Sequence, residues 1–187
     1  QSYFRVTLVI AIAFCIVEIG AENASFQDLV DLLNTSSSIY VYSSSYMMYR
    51  SGYALTCVNY STRAIFDAFF RIELNYKDRD ESFSRDITGT LGNRTATLEP
   101  YMHPHTWPGV SEVARKYLKS YDDKNHCGVF ELEMNGQRHC ELHVWRRSIT
   151  RKPNFYFVEK RCMISYYKTC GGGNPTVTLY TSSCDKK

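Results

Sequence analysis

The sequence predicts an all-β fold, an antiparallel eight-stranded barrel with a short N-terminal helix and a C-terminal helix packed outside it. Apolar and polar residues alternate with period two along much of the chain, as they do in half-buried strands. Turn residues separate these stretches at short intervals, which favours antiparallel neighbours. A barrel of about eight strands encloses its own side chains or one small ligand.

The first predicted element is a short helix that begins at Ser25. The Ser25 hydroxyl can accept a hydrogen bond from an N–H group of the first turn. Apolar residues then recur at helical spacing, at Phe26, Leu29, Val30 and Leu33. The polar segment 34–38 is expected to end the helix.

Strands follow the helix. The first is predicted over Ser38–Tyr49, and the period of two places Tyr40, Tyr42, Tyr46 and Met48 on one face. A turn at residues 50–52 leads to a second strand. The remaining predictions up to the middle of the chain are strands at residues 53–60, 64–76, 82–90 and 94–99, and a proline-rich loop at 100–110. The pattern of residues 113–121 fits a strand or a helix, and we favour a strand because the surrounding segments are strands.

The strongest pattern is a hairpin over Cys127–Trp145, whose turn is the dipeptide Asn135-Gly136. Both turn residues tolerate the positive φ that a tight hairpin needs. A helix over residues 154–169, a glycine-rich stop at 171–173 and a last strand over 176–181 complete the chain.

The second strand of the hairpin carries the candidate binding residues. Glu141, His143 and Trp145 share one face, and Cys140 lies on the other face, as Cys127 does on the partner strand. A carboxylate, an imidazole and an indole in one row suit a polar ligand if that face lines the barrel. Phe130 is expected to face inward on the partner strand.

Composition bounds the class of protein. Arg5, an apolar run over 6–17 and small residues at 20–21 predict a secretory signal over residues 1–21, so residues 22–187 form a single domain. The net charge of +3 is scattered, which does not indicate nucleic-acid binding. No second apolar run is long enough to cross a membrane.

Six cysteines follow the predicted signal, namely Cys57, Cys127, Cys140, Cys162, Cys170 and Cys184. In an exported chain this even number predicts three disulfides, and spacing alone leaves all fifteen pairings open. Four sequons predict glycosylation at one or more of Asn23, Asn34, Asn59 and Asn93. Export to the extracellular space is therefore expected.

Catalysis and metal binding find little support in the motifs. No Ser/His/Asp order or nucleophile motif occurs, and a Glu-x-His on one strand does not define an active site. His103 and His105 stand in the proline-rich loop without a third ligand at fixed spacing, which predicts no metal site. We expect neither an enzyme nor a bound cofactor.

The hairpin Cys127-Gly-Val-Phe…Cys140-Glu-Leu-His-Val-Trp resembles the C-terminal signature of tick salivary lipocalins, the histamine-binding protein family. The opening Phe26-Gln-Asp-Leu and the ending Tyr180-Thr-Ser-Ser-Cys184 are similar to that family's first helix and last strand. The resemblance implies a lipocalin secreted in saliva that sequesters a small host inflammatory mediator, histamine or another biogenic amine. It also implies the disulfides Cys57–Cys184, Cys127–Cys162 and Cys140–Cys170.

The resemblance assigns Glu141 to a ligand-binding glutamate of the family. At two other positions where the family has acidic residues, this chain has Gly128 and Met48. Fewer carboxylates are therefore expected to pair with a cationic ligand. A lipid mediator such as a leukotriene or fatty acid is the alternative ligand, and a host protein such as a complement component is an alternative partner. The expected ligand-binding set is Glu141, His143, Trp145, Tyr40, Tyr42, Tyr46 and Phe130.

Overall fold

The computed structural model describes residues 23–152, 155–171 and 176–185. The predicted signal, residues 1–21, lies outside these residues. The helices are α1 (Phe26–Leu33) and α2 (Lys160–Cys170), and the strands are β1 (Ile39–Ser44), β2 (Tyr49–Arg50), β3 (Tyr53–Phe66), β4 (Phe69–Asp78), β5 (Glu81–Asn93), β6 (Pro100–Pro104), β7 (Lys116–Asp122), β8 (Cys127–Met134), β9 (Gln137–Trp145), β10 (Thr150–Lys152), β11 (Phe155–Phe157) and β12 (Val177–Thr178).

Eight of these strands, β1 and β3 to β9, form an antiparallel barrel, which confirms the predicted fold class. The barrel closes because β1 pairs on one side with β9 and on the other with β3. In this closure Ile39 lies opposite both Trp145 and Tyr60. The short strands β2 and β12 extend the sheet at its margins, and a closed sheet leaves no long unpaired edge.

Helix α1 covers one end of the barrel. Ser25 caps it as predicted, because its hydroxyl accepts from the N–H of Asp28 at 3.1 Å and the Asp28 carboxylate accepts from the N–H of Ser25 at 2.7 Å. Leu32 packs against Gly128, where a Cβ atom would stand 2.6 Å from a Leu32 methyl carbon. A larger residue at this position would require the Leu32 side chain to shift.

Helix α2 packs on the outer faces of β8 and β9, where two disulfides hold it: Cys127–Cys162 and Cys140–Cys170. The third disulfide, Cys57–Cys184, ties β3 to the end of the chain. All three pairings are those that the resemblance implied. The hairpin cysteines therefore face away from the barrel interior, and Glu141 faces into it.

Several predicted boundaries were wrong. The strand predicted over 64–76 is broken by a two-residue turn, in which Asp67 adopts a φ of 50°, so β3 ends at Phe66 and β4 begins at Phe69. Residues 94–99 form a loop, and the proline-rich segment 100–110 begins with β6. Prolines are tolerated there because Pro100 and Pro104 are the two ends of that strand. Helix α2 begins at Lys160, later than predicted, because β11 precedes it.

Candidate functional site

A charged pair lies inside the barrel. Lys116 and Glu141 are both buried, with at most 1% of either side chain exposed. The Lys116 ammonium donates to both carboxylate oxygens, with Nζ 2.8 Å from Oε1 and 2.6 Å from Oε2. Buried charges of this kind are stable only when they are paired and hydrogen-bonded. Here the opposite charges of Lys116 and Glu141 cancel each other.

Two strands position this pair. Lys116 is the first residue of β7 and shares its buried face with Leu118. On β9, alternation turns Glu141 and His143 inward while Cys140 and Leu142 join the outer cluster under α2. The cation and the carboxylate therefore meet across the barrel interior, although 25 residues separate them.

A hydrogen-bonded chain extends from the carboxylate. His143 Nε2 lies 2.8 Å from Glu141 Oε2, and His143 Nδ1 lies 2.8 Å from the hydroxyl of Tyr60. An ionised carboxylate only accepts hydrogen bonds, so Nε2 carries the proton and Nδ1 accepts from Tyr60. This assigns a neutral imidazole to His143, consistent with its full burial. Phe130 packs on the ring, with centroids 4.5 Å apart.

The pKa directions agree with that assignment. Burial would raise the pKa of Glu141, but the Lys116 ammonium and the bond from His143 outweigh it and lower this pKa to about 2. Burial lowers the pKa of His143 and outweighs its bond to Glu141. Burial also lowers the pKa of Lys116, against the attraction of Glu141. Glu141 has three donors around it, so at neutral pH we describe the pair as ionised and the imidazole as neutral.

Two aromatic side chains complete the surroundings of the pair. The Lys116 Nζ lies 3.6 Å from the centroid of the Trp107 ring, within the range of a cation–π contact. The hydroxyl of Tyr46 donates to Glu141 Oε1 at 2.5 Å. Burial raises the pKa of Tyr46 well above its ordinary value, and the neighbouring Glu141 charge adds to the effect, so the phenol stays protonated and donates.

Tyr46 also lines a cleft of about 570 Å³ at the end of the barrel opposite α1, the mouth cleft. The loop after β1, the loop before β7 and the β8–β9 turn form its walls. Glu112 and Glu133 line it, and both are exposed. None of the side chains that line it is a lysine or an arginine. Burial lowers the pKa of His139, which favours its neutral form.

Four of the seven predicted ligand-binding residues meet inside the barrel. Glu141, His143 and Phe130 face the interior, and Tyr46 joins them through its hydroxyl. Whether any of them contacts a ligand stays a prediction.

Tyr40 and Tyr42 were wrongly predicted to face the interior. Both belong to the cluster under α2 and pack on Tyr180, with ring centroids 4.8 Å and 6.1 Å away. The register of β1 shifts between Val41 and Ser43, which reverses the face of the residues that follow. For this reason Tyr46 faces inward, while Tyr40 before the shift and Tyr42 within it face outward.

Trp145 is inward-facing but lies at the closed end. Its indole Nε1 donates to the Leu32 carbonyl at 2.8 Å, and its ring stacks on His126 with centroids 4.2 Å apart. These contacts attach α1 to the barrel and keep Trp145 away from the mouth cleft.

Sequence reasoning missed Lys116, Tyr60 and Trp107. One signal was present for Lys116, which is in phase with Leu118 on a predicted strand, so an inward-facing strand would bury it. A tryptophan in the proline-rich loop was the corresponding signal for Trp107. Nothing in the local pattern identifies Tyr60 as the partner of His143, since they lie 83 residues apart.

The structure shows how exposed the predicted glycosylation sites are. Asn23, Asn34 and Asn93 are exposed, and Asn59 is half-buried with its amide donating to the Cys57 carbonyl at 2.8 Å. Within the described residues no group of three or more side chains could hold a metal ion. No helix in the described part of the chain is long and apolar enough to cross a membrane.

Solved structures similar to this chain are lipocalins. Japanin from Rhipicephalus appendiculatus bound to cholesterol matches with a TM-score of 0.53 and 12% identity over 79% of this chain and 94% of the other. The AM182 serotonin complex matches with a TM-score of 0.55 and 12% identity over 83% and 91%. Neither a protein-family model nor a curated protein matches the sequence. At such identities the likeness shows the lipocalin fold alone.

Proposed function

We propose that this lipocalin is secreted and sequesters a small host mediator, a biogenic amine with histamine first, in its mouth cleft. The fold is one that carries ligands, and three disulfides are typical of proteins that work in oxidising surroundings. Delivery in saliva, where the ligand would be an inflammatory signal of the host, is the setting that the family resemblance implies.

The observation that carries this proposal is the acidic lining of the mouth cleft. Among the described residues that line it, Glu112 and Glu133 are acidic and none is a lysine or an arginine. A protonated amine needs an anion when it leaves bulk water. Met47, Val110 and the ring of Tyr46 supply apolar surface for the rest of such a ligand.

Two structural neighbours support a small-molecule role. One was solved with serotonin and the other with cholesterol. The serotonin complex shares the barrel fold with this chain and its ligand is an amine, which makes serotonin the second probe after histamine.

Calorimetry with histamine and serotonin tests the proposal. The double variant Glu112→Gln/Glu133→Gln should weaken amine binding about tenfold or more, because each neutral amide replaces a charge-assisted contact. The matched control is Glu81→Gln, an exposed glutamate of β5 outside the cleft, which should bind as the wild type does. Equal binding by the double variant and the control would contradict the proposal.

A lipid mediator is the second candidate, and the interior favours it. The charges of Lys116 and Glu141 cancel each other, and the buried rings of Tyr60, Phe70 and Phe130 make the interior aromatic. A fatty acid or leukotriene would have to displace part of this core. Binding of such a lipid with no response to Glu112→Gln/Glu133→Gln would favour this candidate. Failure of both ligand classes would favour a host protein such as a complement component as the partner.

A further inference from the structure

The surroundings of the Lys116 ammonium have the composition of a recognition site for a primary ammonium ion. One carboxylate, that of Glu141, accepts from it with both oxygens. One aromatic face, that of Trp107, lies 3.6 Å away. A primary ammonium has three donors, and a carboxylate with an aromatic face is a typical way to bind it. We call Glu141, Trp107, Tyr46, His143 and Tyr60 the ammonium cage.

The carboxylate of this cage is held by groups other than Lys116. Tyr46 donates to Oε1 at 2.5 Å, and His143 donates to Oε2 at 2.8 Å. His143 is in turn oriented by Tyr60 at 2.8 Å. These three side chains come from the β1–β2 loop, β9 and β3, so they fix the acceptor without help from β7. Removing the ammonium therefore leaves its binding partners in place.

We propose that the cage is a primary-ammonium site whose occupant is the chain's own Lys116, which excludes ligand amines from the barrel interior and so determines specificity. A ligand with an ammonium group meets a cage that is already filled. It is therefore restricted to the mouth cleft, whereas a neutral ligand encounters no charge barrier inside. This inference stands apart from the proposed amine function, since it rests on the interior pair and not on the mouth carboxylates.

Tyr46 lies between the cage and the mouth cleft. The same side chain lines the mouth cleft and donates to Glu141, so it is the partition between the outer and the inner site. A ligand that passes from the cleft to the cage would have to displace this phenol.

Chemical rescue of Lys116→Ala tests the proposal. The substitution removes the ammonium together with three carbons of its alkyl stem, and n-propylammonium has the size and charge of what is lost. We expect the melting temperature of the variant to rise by about 3–6 °C at roughly ten times the dissociation constant of propylammonium. Tetramethylammonium and sodium chloride at equal ionic strength should not reproduce the rise, because neither offers an N–H donor. The wild type should respond equally to all three salts.

A second variant keeps the test independent of whether Lys116→Ala folds. Lys116→Met retains most of the stem and removes only the ammonium group. It should be stabilised by ammonium chloride over potassium chloride, and propylammonium should give no extra effect because the stem space is filled. In Lys116→Ala/Glu141→Gln the selective rescue should disappear. If both single variants respond to the amines no more than to the control salts, the cage is an ordinary structural ion pair and the proposal is wrong.

Histamine gives a readout of specificity. In calorimetry Lys116→Ala should show one more class of histamine site than the wild type, and Glu141→Gln in that background should remove it. This result is distinct from the mouth-cleft test, because Glu112→Gln/Glu133→Gln should leave the added site intact. An unchanged histamine stoichiometry in a folded Lys116→Ala that propylammonium rescues would overturn the role in specificity.

Discussion

Glu141 and the two glutamates of the mouth cleft are the same chemical group in opposite surroundings. Glu141 is fully buried and receives donors from Lys116, His143 and Tyr46. Glu112 and Glu133 are exposed, and their cleft contains no lysine or arginine. The interior carboxylate is thus satisfied within the chain, whereas the mouth carboxylates have charge available for a ligand.

The difference teaches that a carboxylate in a barrel is not by itself a ligand site. In the low dielectric of the interior a charge needs a partner in the folded chain, so Lys116 and Glu141 each depend on the other. At the mouth, water solvates the carboxylates until a cation replaces it. Stability should therefore depend on the interior group, and binding should depend on the mouth groups.

Breaking the interior pair should have the largest effect. Glu141→Gln leaves the Lys116 ammonium buried without its counter-ion, and we expect a loss of about 3–5 kcal/mol in the free energy of unfolding. Urea denaturation measures it, and the midpoint should fall without a change of slope.

The matched control removes both charges. Lys116→Met/Glu141→Gln replaces the ion pair by neutral side chains of similar volume, so its stability should lie much closer to that of the wild type. A double variant as unstable as Glu141→Gln would show that the loss comes from packing or from the hydrogen bonds of Tyr46 and His143.

The faces of the hairpin could be predicted because β8 and β9 keep an unbroken alternation over Cys127–Met134 and Gln137–Trp145. The start of helix α1 could also be predicted from neighbouring residues, because Ser25 and Asp28 define it within four residues. Tyr40 and Tyr42 were misassigned because a register shift in the middle of β1 is invisible to a period of two. The local sequence thus predicts helices and strands well. It predicts on which face of a strand a side chain lies only where the alternation is uninterrupted.

The candidate site was half predictable for a related reason. Glu141 and His143 were found because they share one strand, two residues apart. Lys116 was not found, because its partner lies on another strand and the partnership depends on where the barrel closes. The mouth cleft was not found either, since its walls come from three separate turns.

Acid should destabilise the interior of the barrel in two steps, one for His143 and one for Glu141. Burial lowers the pKa of His143, so the unfolded chain takes up a proton near pH 6.5 that the folded chain does not, and stability falls as the pH falls below that value. The pKa of Glu141 is lowered to about 2, so a further loss follows between about pH 4.5 and pH 2. Both contributions are fully present at pH 7.

His143→Gln isolates the upper part of this profile. The pKa values of His126 and His139 are also lowered by burial, so the variant should reduce the loss between about pH 6.5 and 5 without abolishing it. Chemical denaturation at a series of pH values measures the difference between the two proteins. A variant whose profile runs parallel to that of the wild type across this range would mean that folding does not lower the pKa of His143.

The smallest effect on stability is expected at the mouth. Glu112→Gln and Glu133→Gln remove exposed charges that form no ion pair within the described part of the chain, so each should change the free energy of unfolding by no more than about 0.5 kcal/mol. The measurement is urea denaturation of each variant beside Glu81→Gln, whose carboxylate is also exposed. The comparison with Glu141 then becomes quantitative, because one kind of substitution, glutamate to glutamine, is made in both surroundings. A loss at Glu112 as large as that at Glu141 would place a structural partner at the mouth and would remove the ground for treating its charge as available to a ligand.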